Sequence, residues 1–350
     1  MKTESLRVKY ENFLISHHKK ALTTEMSLLH EDLSHDKITR FLMCKNMGNR
    51  ELRMITKKTA SKQMGGVLII DDMLVEKPYM KENELVSWYW DHGKQRYIKG
   101  INIISCVYQS NTDFTIPQSA HLIKKTSEQW DKKRKKIVKK SLISKNEYAL
   151  DMIKKAIHND ILFTYVLADS WYCSAENMTA INTLCKKYIF EIKDNRRVSE
   201  NVPSTNKGQY KKLSELEFQE NETKVLWLKG METPVLICLQ KLKNENGSTI
   251  DRYLVSNDLD LSAALFEELY QKRWKIEEYH KSLKQNLSIG QCQARTVKIQ
   301  INHFYLCISA FFRLEHIRHR TNINHFAIKK TLYISSLKAS HQHLIDLSVA

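Results

Sequence analysis

Residues 261–287 read LSAALFEELYQKRWKIEEYHKSLKQNL, and this stretch decides how the rest of the chain is interpreted. It contains no Gly or Pro, and its apolar residues recur at spacings of four and seven. The members of this apolar stripe are Leu265, Leu269, Ile276 and Leu283. Such spacing places apolar side chains on one side of a helix. The stretch therefore predicts one long helix that packs on a hydrophobic core.

Four polar residues share one narrow arc of this predicted helix, because they lie at offsets of three, four and seven. They are Tyr270, Arg273, Glu277 and Lys284. A tyrosine, two cations and a carboxylate side by side suit a face that binds phosphate and metal. Glu and Lys at these offsets are equally common on solvated helices, where they form ordinary salt bridges. The remainder of the chain must decide between these interpretations.

Two apolar runs upstream each end on aspartate. Val67 to Ile70 precede Asp71 and Asp72, and the run from Ile161 leads to Asp169. Continuous apolar runs of this kind predict strands that are buried on both faces. A carboxylate that leaves a buried strand is costly unless it is paired or binds a cation. The alternative is a strand that simply reaches solvent.

The pattern Tyr270-x2-Arg273-x3-Glu277-x6-Lys284 resembles the signature (YREK) helix of DDE transposases in the insertion-sequence-four branch. The motifs IIDD and LADSWY stand where that family places its two aspartates. The resemblance spans about residues 65–309. It implies an RNase H-like α/β fold, in which a mixed sheet is flanked by helices, with a β-rich insertion and a helical N-terminal region.

The resemblance also implies a division of the chain. Residues 1–60 would form a helical region that binds DNA ends. Residues 61–193 and 261–350 would form the two parts of the catalytic core, the second of which carries the signature helix. Residues 194–260 would form the β-rich insertion between them.

Asp72, Asp169 and Glu277 are the expected catalytic residues and metal ligands. Phosphodiester hydrolysis needs an activated water and a stabilised leaving oxygen, and two divalent cations about 4 Å apart supply both. Mg²⁺ prefers oxygen ligands, so three carboxylates from separate elements are sufficient, with Mn²⁺ as a substitute ion. Asp71 is the rival of Asp72, because alternation along a strand turns only one of the two toward the site. The resemblance favours Asp72.

The other residues of the signature are expected to bind DNA. Tyr270 would contact a phosphate near the cleaved end, while Arg273 and Lys284 would hold the terminal phosphates, one through a planar fork and one as a point charge. Some members of this branch stack a flipped base on an aromatic residue of the insertion. Trp227 is the tryptophan available there, but its distance from Glu277 fits the family pattern poorly, so that role stays open.

The chain carries a formal charge of +17 over 350 residues, which favours a polyanionic partner such as nucleic acid. Residues 131–140, DKKRKKIVKK, are either a solvated charge run or a stripe that follows phosphates. No apolar run approaches the length of about 20 residues that spans a bilayer, and no signal sequence is evident, so we expect a cytoplasmic protein with no membrane partner.

Seven scattered cysteines predict reduced thiols, and the spacing of fourteen histidines does not suit zinc. In the N-terminal region, Ser34 is placed as an N-cap ahead of Ile38, Phe41 and Leu42. This short helix is either a DNA recognition helix, with Lys37, Thr39 and Arg40 facing outward, or a plain packing helix.

The function expected from these features is a cut-and-paste DNA transposase. It would nick transposon ends with metal-activated water and then use the freed 3′-hydroxyl for strand transfer. Its partners would be double-stranded DNA, both terminal inverted repeats and target, bound by a homodimer at the nucleoid. The rivals are an RNase H-like nuclease or resolvase without strand transfer, and a transposase-derived DNA-binding protein that is catalytically silent.

Overall fold

The computed structural model describes residues 5–17, 21–63, 65–91, 93–132, 135–202, 210–243 and 247–349. The helices are α1 (Leu6–Ser16), α2 (Thr23–Leu28), α3 (His35–Cys44), α4 (Asn49–Ala60), α5 (Lys145–His158), α6 (Ala175–Thr183), α7 (Ala263–Gln271), α8 (Trp274–Gln285), α9 (Val297–Thr321) and α10 (His325–Val349). The strands are β1 (Gly66–Glu76), β2 (Ser87–Asp91), β3 (Arg96–Ser110), β4 (Thr115–Leu122), β5 (Ser127–Asp131), β6 (Lys136–Lys140), β7 (Tyr165–Ala168), β8 (Lys187–Ile192), β9 (Arg197–Ser199), β10 (Lys211–Lys212), β11 (Thr223–Leu228), β12 (Val235–Lys243) and β13 (Thr249–Ser256).

One large mixed sheet organises the molecule. Its strand order is β10-β9-β11-β12-β13-β8-β7-β1-β3-β2, and β4 also pairs with β3. The central strands β1, β7 and β8 are parallel, and their other neighbours are antiparallel. Parallel strands occur where helices cover both faces of a sheet. The predicted fold class, a mixed α/β sheet flanked by helices, is confirmed.

Each face of the sheet has its own hydrophobic layer. Val67 and Ile69 of β1 lie in one layer with α8, α9 and the N-terminal helices, and we call this side the α8 face. Leu68 and Ile70 lie in the other layer with α5 and α6, which we call the α5 face. This alternation is the consequence of the two-residue period of a strand.

The predicted N-terminal helices are present and share the core of the α8 face. Tyr10 of α1 is buried and its hydroxyl lies 2.9 Å from Nδ1 of His303 on α9. The buried carboxylate of Glu11 accepts a hydrogen bond from Ser309 Oγ at 2.6 Å. Ser34 caps α3 as predicted, by accepting from the Lys37 amide at 3.2 Å. Apolar packing and buried polar contacts thus join α1, α3 and α4 to α9.

Two local predictions were wrong. Residues 261–287 form two helices, because the backbone tightens at Lys272–Arg273. There the Arg273 N–H donates to the Tyr270 carbonyl at 2.9 Å, and the Ile276 N–H donates to the Arg273 carbonyl at 3.1 Å. These bonds span three residues instead of four, which shifts the register between α7 and α8. The strand of the IIDD motif also continues past its aspartates to Glu76, because β3 supplies partners along its whole length.

The strands predicted as a β-rich insertion extend the central sheet. Strand β13 pairs with β8, with Val255 opposite Phe190, and β12 and β11 follow in order. Leu236 and Cys238 are buried on the α8 face, whereas Ile237 and Leu239 are buried on the α5 face. Burial on both faces explains why these strands join the sheet.

In the described ranges, no helix is both long enough and apolar enough to cross a membrane.

Candidate active site

The two adjacent aspartates of β1 point to opposite faces of the sheet. Asp71 has the same parity as Val67 and Ile69 and therefore lies on the α8 face. Asp72 has the parity of Leu68 and Ile70 and lies on the α5 face. The backbone N–H of Asp72 donates to Asp71 Oδ1 at 2.8 Å. Only Asp71 thus shares a face with the signature helix α8.

Asp169 follows β7 directly and lies beside Asp71. The parallel register pairs Ile69 with Leu167, and the same register continued by two residues brings Asp71 next to Asp169. The amide of Trp171 donates to Asp169 Oδ1 at 3.0 Å. Burial raises the pKa of Asp71 to about 7, and the carboxylates of Asp169 and Asp72 add to this rise. Burial, followed by the Asp72 carboxylate, also raises the pKa of Asp169, against the hydrogen bond from Trp171.

Glu277 is held on α8 by a cation that also faces both aspartates. Arg273 Nη2 donates to Glu277 Oε1 at 2.6 Å. The same guanidinium lowers the pKa of Asp71 and of Asp169, although burial and the other carboxylates outweigh it. Arg273 therefore contacts Glu277 of α8 directly and acts electrostatically on Asp71 of β1 and on Asp169 at the end of β7.

These residues fit a divalent cation by their chemistry. Buried carboxylates that raise one another's pKa gain most from a positive charge placed among them. Within the described residues, no three acidic, histidine or cysteine side chains converge as a ready-made metal cluster. Asp71, Asp169 and Glu277 share a common neighbour, the Arg273 guanidinium, which partly neutralises them.

Tyr270 and Lys284 differ in their exposure to solvent. Tyr270 is only 2% exposed, and its hydroxyl donates to the Ala168 carbonyl at 3.4 Å, next to Asp169. The Arg273 guanidinium lies 5.6 Å from the Tyr270 ring centroid. Lys284 is exposed on α8. Partial burial lowers the pKa of its ammonium, while the Asp91 and Asp71 carboxylates act in the opposite direction.

Asp72 has a set of donors that sequence reasoning missed. Lys145 Nζ lies 2.7 Å from Asp72 Oδ2, and Asn102 Nδ2 donates to the same oxygen at 2.8 Å. The hydroxyl of Tyr172 donates to Asp72 Oδ1 at 3.1 Å. These donors come from α5, β3 and the loop after β7, so no sequence spacing connects them. Of these three donors, Tyr172 lies within the LADSWY motif.

His280 is a second residue that the sequence did not single out. It lies one turn beyond Glu277, is 7% exposed, and its Nε2 has no hydrogen-bond partner among the described residues. Burial lowers the pKa of its imidazole to about 3, so the ring is neutral at ordinary pH.

Trp227 lies on β11, and four strands, β12, β13, β8 and β7, separate it from β1.

Comparison with known proteins gives a family and several similar solved structures. A family model described as "Transposase DDE domain" matches residues 62–313. No curated protein sequence matches the chain. Among solved structures, the "Drosophila P element transposase strand transfer complex" is similar, with 10% sequence identity and a TM-score of 0.27. That match covers 53% of this chain and 38% of the neighbour, well under two thirds of its length. Because the family model covers most of the sequence and includes all three acids and helix α8, the chain belongs to the transposase DDE domain family.

Proposed function

We propose that this protein is a DNA transposase of the insertion-sequence-four branch, which cleaves element ends and joins them to target DNA by a cut-and-paste route. The observation that carries the proposal is that Asp71 lies on β1 and Asp169 follows the neighbouring parallel strand β7, and that Arg273, which is paired with Glu277, acts electrostatically on both. The spacing of Tyr270, Arg273, Glu277 and Lys284 supports the branch.

We assign the first metal-binding carboxylate to Asp71 in preference to Asp72, the residue that the sequence favoured. Asp71 shares a face with α8, whereas Asp72 is occupied by Lys145, Asn102 and Tyr172 on the other face. A carboxylate that already accepts three hydrogen bonds gives up more when it binds a cation. Asp72 would thus hold Lys145, Asn102 and Tyr172 in place on the α5 face, and Asp71 would be the carboxylate that binds the metal.

Asp71, Asp169 and Glu277 would hold two Mg²⁺ ions, or Mn²⁺ as a substitute, which activate water and stabilise the leaving oxygen when bound. Arg273 would hold a phosphate through its planar fork, next to Glu277. Lys284 offers a point charge about two turns beyond Glu277 on α8. Tyr270 supports Arg273 through its ring and is a phosphate contact only after its hydroxyl leaves Ala168.

The partners we propose are double-stranded DNA with terminal inverted repeats, target DNA, and a second copy of the chain on the DNA. The charge of +17 supports a polyanion as partner. This function would place the protein on the bacterial nucleoid, in the cytoplasm.

A cleavage assay on labelled inverted-repeat DNA, taken from the sequence that flanks the reading frame, tests the proposal. Asp71→Asn, Asp169→Asn and Glu277→Gln should each lower Mg²⁺-dependent nicking by at least about a thousandfold and leave DNA binding intact. Glu278→Gln is the matched control, because its side chain is 67% exposed and pairs with Lys275. If Asp72→Asn stops nicking and Asp71→Asn does not, the assignment of the ligand reverts to Asp72.

A second assay separates the rivals. Pre-cleaved ends that carry a free 3′-hydroxyl should be joined to a target plasmid in the presence of Mg²⁺. A nuclease or resolvase would nick the ends without joining them. A silent DNA-binding protein would bind the repeats, and no divalent ion would bring about either reaction.

A further inference from the structure

A two-stranded hairpin stands apart from the large sheet. Strands β5 and β6 pair only with each other among the described strands. A hairpin of two strands is marginally stable in water, so it gains from contact with a further surface. Trp130 and Ile137 lie directly opposite each other on it, and each is 62% exposed. The hairpin thus presents an apolar pair whose surface the described part of the chain leaves mostly open.

The hairpin is also strongly basic. Residues 127–140 contain seven cations and two carboxylates, Glu128 and Asp131. Two of the cations, Lys133 and Arg134, lie outside the described residues. Unneutralised cations on an exposed surface favour a polyanionic partner. Four cations of the hairpin are exposed and form no ion pair with a described residue, namely Lys132, Lys135, Lys139 and Lys140.

The hairpin lies at the edge of the sheet toward which β1 runs after its aspartates. Strand β1 continues to Glu76, opposite Gly100 of β3, and β2 pairs with the part of β3 that precedes Gly100. The chain just before β5 is fixed to β2, because Lys125 Nζ donates to the Trp88 carbonyl at 2.8 Å. Residues of β5 and β6 line a cavity of about 760 Å³ together with Trp88 and Tyr97. The hairpin is therefore a neighbour of β2 and of the start of β3.

Strand β2 connects this region to the α8 face, on which the proposed metal ligands lie. Tyr97 has the same parity along β3 as Ile101 and Ile103, which are buried on the α8 face. Burial lowers the pKa of Lys284 on α8, and the Asp91 carboxylate at the end of β2 is the largest influence that opposes it. Strand β2 is thus close to Lys284 at one end and to the hairpin at the other.

We propose that the β5–β6 hairpin holds the DNA duplex to one side of the cleavage position, with its lysines on backbone phosphates and with Trp130 and Ile137 against deoxyribose. Contacts to phosphate and sugar fix the position of a protein on DNA without reading its sequence. The partner is a duplex and not a second copy of this hairpin, because two such basic surfaces repel each other. The inference rests on the proposed function, since DNA that is held at Lys284 must continue past β2 to reach the hairpin.

The test is a binding measurement by fluorescence anisotropy in EDTA, so that it needs no cleavage, with a duplex of random sequence as the probe. Lys132→Gln combined with Lys139→Gln should weaken binding by the full chain about tenfold and lower the salt slope of log K by about 2, because two phosphate contacts are lost. Arginine at both positions keeps the charge and should restore both quantities. Both side chains are exposed, so thermal unfolding should be unaffected.

Two lysines elsewhere supply the matched control. Lys154 on α5 and Lys338 on α10 are exposed, and neither forms an ion pair with a described residue. Lys154→Gln combined with Lys338→Gln removes the same charge and should leave the salt slope unchanged. A hydroxyl-radical footprint on inverted-repeat DNA reports the position, because Trp130→Ala should uncover deoxyribose on one side of the cleavage position only.

Three results would overturn the inference. An unchanged salt slope in the hairpin variant would mean that its lysines only protect a free strand edge. Equal losses in the hairpin and control variants would mean that net charge alone matters. Loss of self-association in sedimentation, with DNA binding intact, would make the hairpin an interface between copies. Nicking is assayed separately in Mg²⁺, so a chain that shows the hairpin effect but cleaves no inverted-repeat DNA would contradict the proposed function alone.

Discussion

Asp71→Asn should change the stability of the protein in opposite directions with and without divalent ions. Burial beside Asp169 and Asp72 raises the pKa of Asp71 to about 7, above the value of about 3.9 for an unfolded aspartate. The folded state therefore binds the proton more tightly between these pH values. The stability that this proton contributes is present below pH 4 and is lost as pH rises to 7.

The magnitude follows from the size of the shift. A shift of about three pK units, at about 1.36 kcal/mol per unit, corresponds to at most about 4 kcal/mol of unfolding free energy. Asparagine at position 71 carries no charge and so avoids this loss. In EDTA, the variant should gain stability relative to wild type when the pH is raised from 5 to 8. The gain should be a few kcal/mol.

Urea unfolding at pH 5 and pH 8, in EDTA and in excess Mg²⁺, measures both effects. At 100 times the dissociation constant, a bound ion stabilises the folded state by about 2.7 kcal/mol. Wild type should show this gain at pH 8, and Asp71→Asn should not. Because the comparison is between variants at the same pH, titrating groups that do not act on Asp71 cancel, whereas Asp169 and Asp72 contribute to the difference.

Asp72→Asn is the matched control for this experiment. It removes the charge that Lys145 and Tyr172 contact, so it should destabilise the protein in EDTA by about 1 kcal/mol or more at both pH values. The reasoning is refuted if Asp71→Asn and wild type show parallel pH profiles in EDTA. It is also refuted if Asp72→Asn shows the whole gain expected of Asp71→Asn, because loss of the Asp72 charge removes only its own part of the rise in the Asp71 pKa.

Three further predictions concern DNA binding and the core. Arg273→Gln and Lys284→Gln should each weaken DNA binding about equally for all sequences and lower the salt slope of log K by about 1, as measured by fluorescence anisotropy. A loss of binding confined to one end sequence would instead indicate that the side chain reads bases. Arg40→Ala on α3 should reduce the preference for terminal repeats over random duplex in footprinting if α3 reads bases, and an unchanged footprint would leave α3 a packing helix. Burial raises the pKa of Glu315, but hydrogen bonds from His325, Arg318 and the Thr115 amide outweigh it and lower the pKa to about 2. The contribution of Glu315 to the unfolding free energy is therefore present above about pH 4.5 and is lost as pH falls toward 2. Glu315→Gln should make the stability less dependent on pH in this acid range, and an unchanged acid dependence would contradict this.

Much of the fold was predictable because it is encoded locally. Apolar runs marked β1 and β7, and Ser34 and Ser174 sit at helix N-termini as N-caps should. The four-residue signature marked the helical stretch of α7 and α8, with Tyr270 on α7, Arg273 just before α8, and Glu277 and Lys284 on α8. Each of these signals needs only a few neighbours in the chain.

The parts that were not predictable depend on contacts between distant segments. Alternation predicts that Asp71 and Asp72 point to opposite faces of the sheet, but only the packing of α8 shows that Asp71 is on the α8 face. Lys145 and Asp72 are 73 positions apart in sequence and meet only when α5 covers the sheet. The break between α7 and α8 is a change of backbone hydrogen bonding, which side-chain periodicity does not record.

The shared core of α1, α3 and α9 has a consequence for how such a protein can change its DNA preference. Asn302 of α9 donates to the carbonyls of Leu42 and Lys45, both at 2.6 Å, so the end of α3 is tied to the helix that packs against α8. The first sixty residues are therefore not an exchangeable cassette. A graft of these residues from a relative would expose the apolar side of α9 unless α9 changed with it. If α3 reads bases, new specificity should accordingly arise by exchange of single surface residues on α3, while the buried contacts beneath them are preserved.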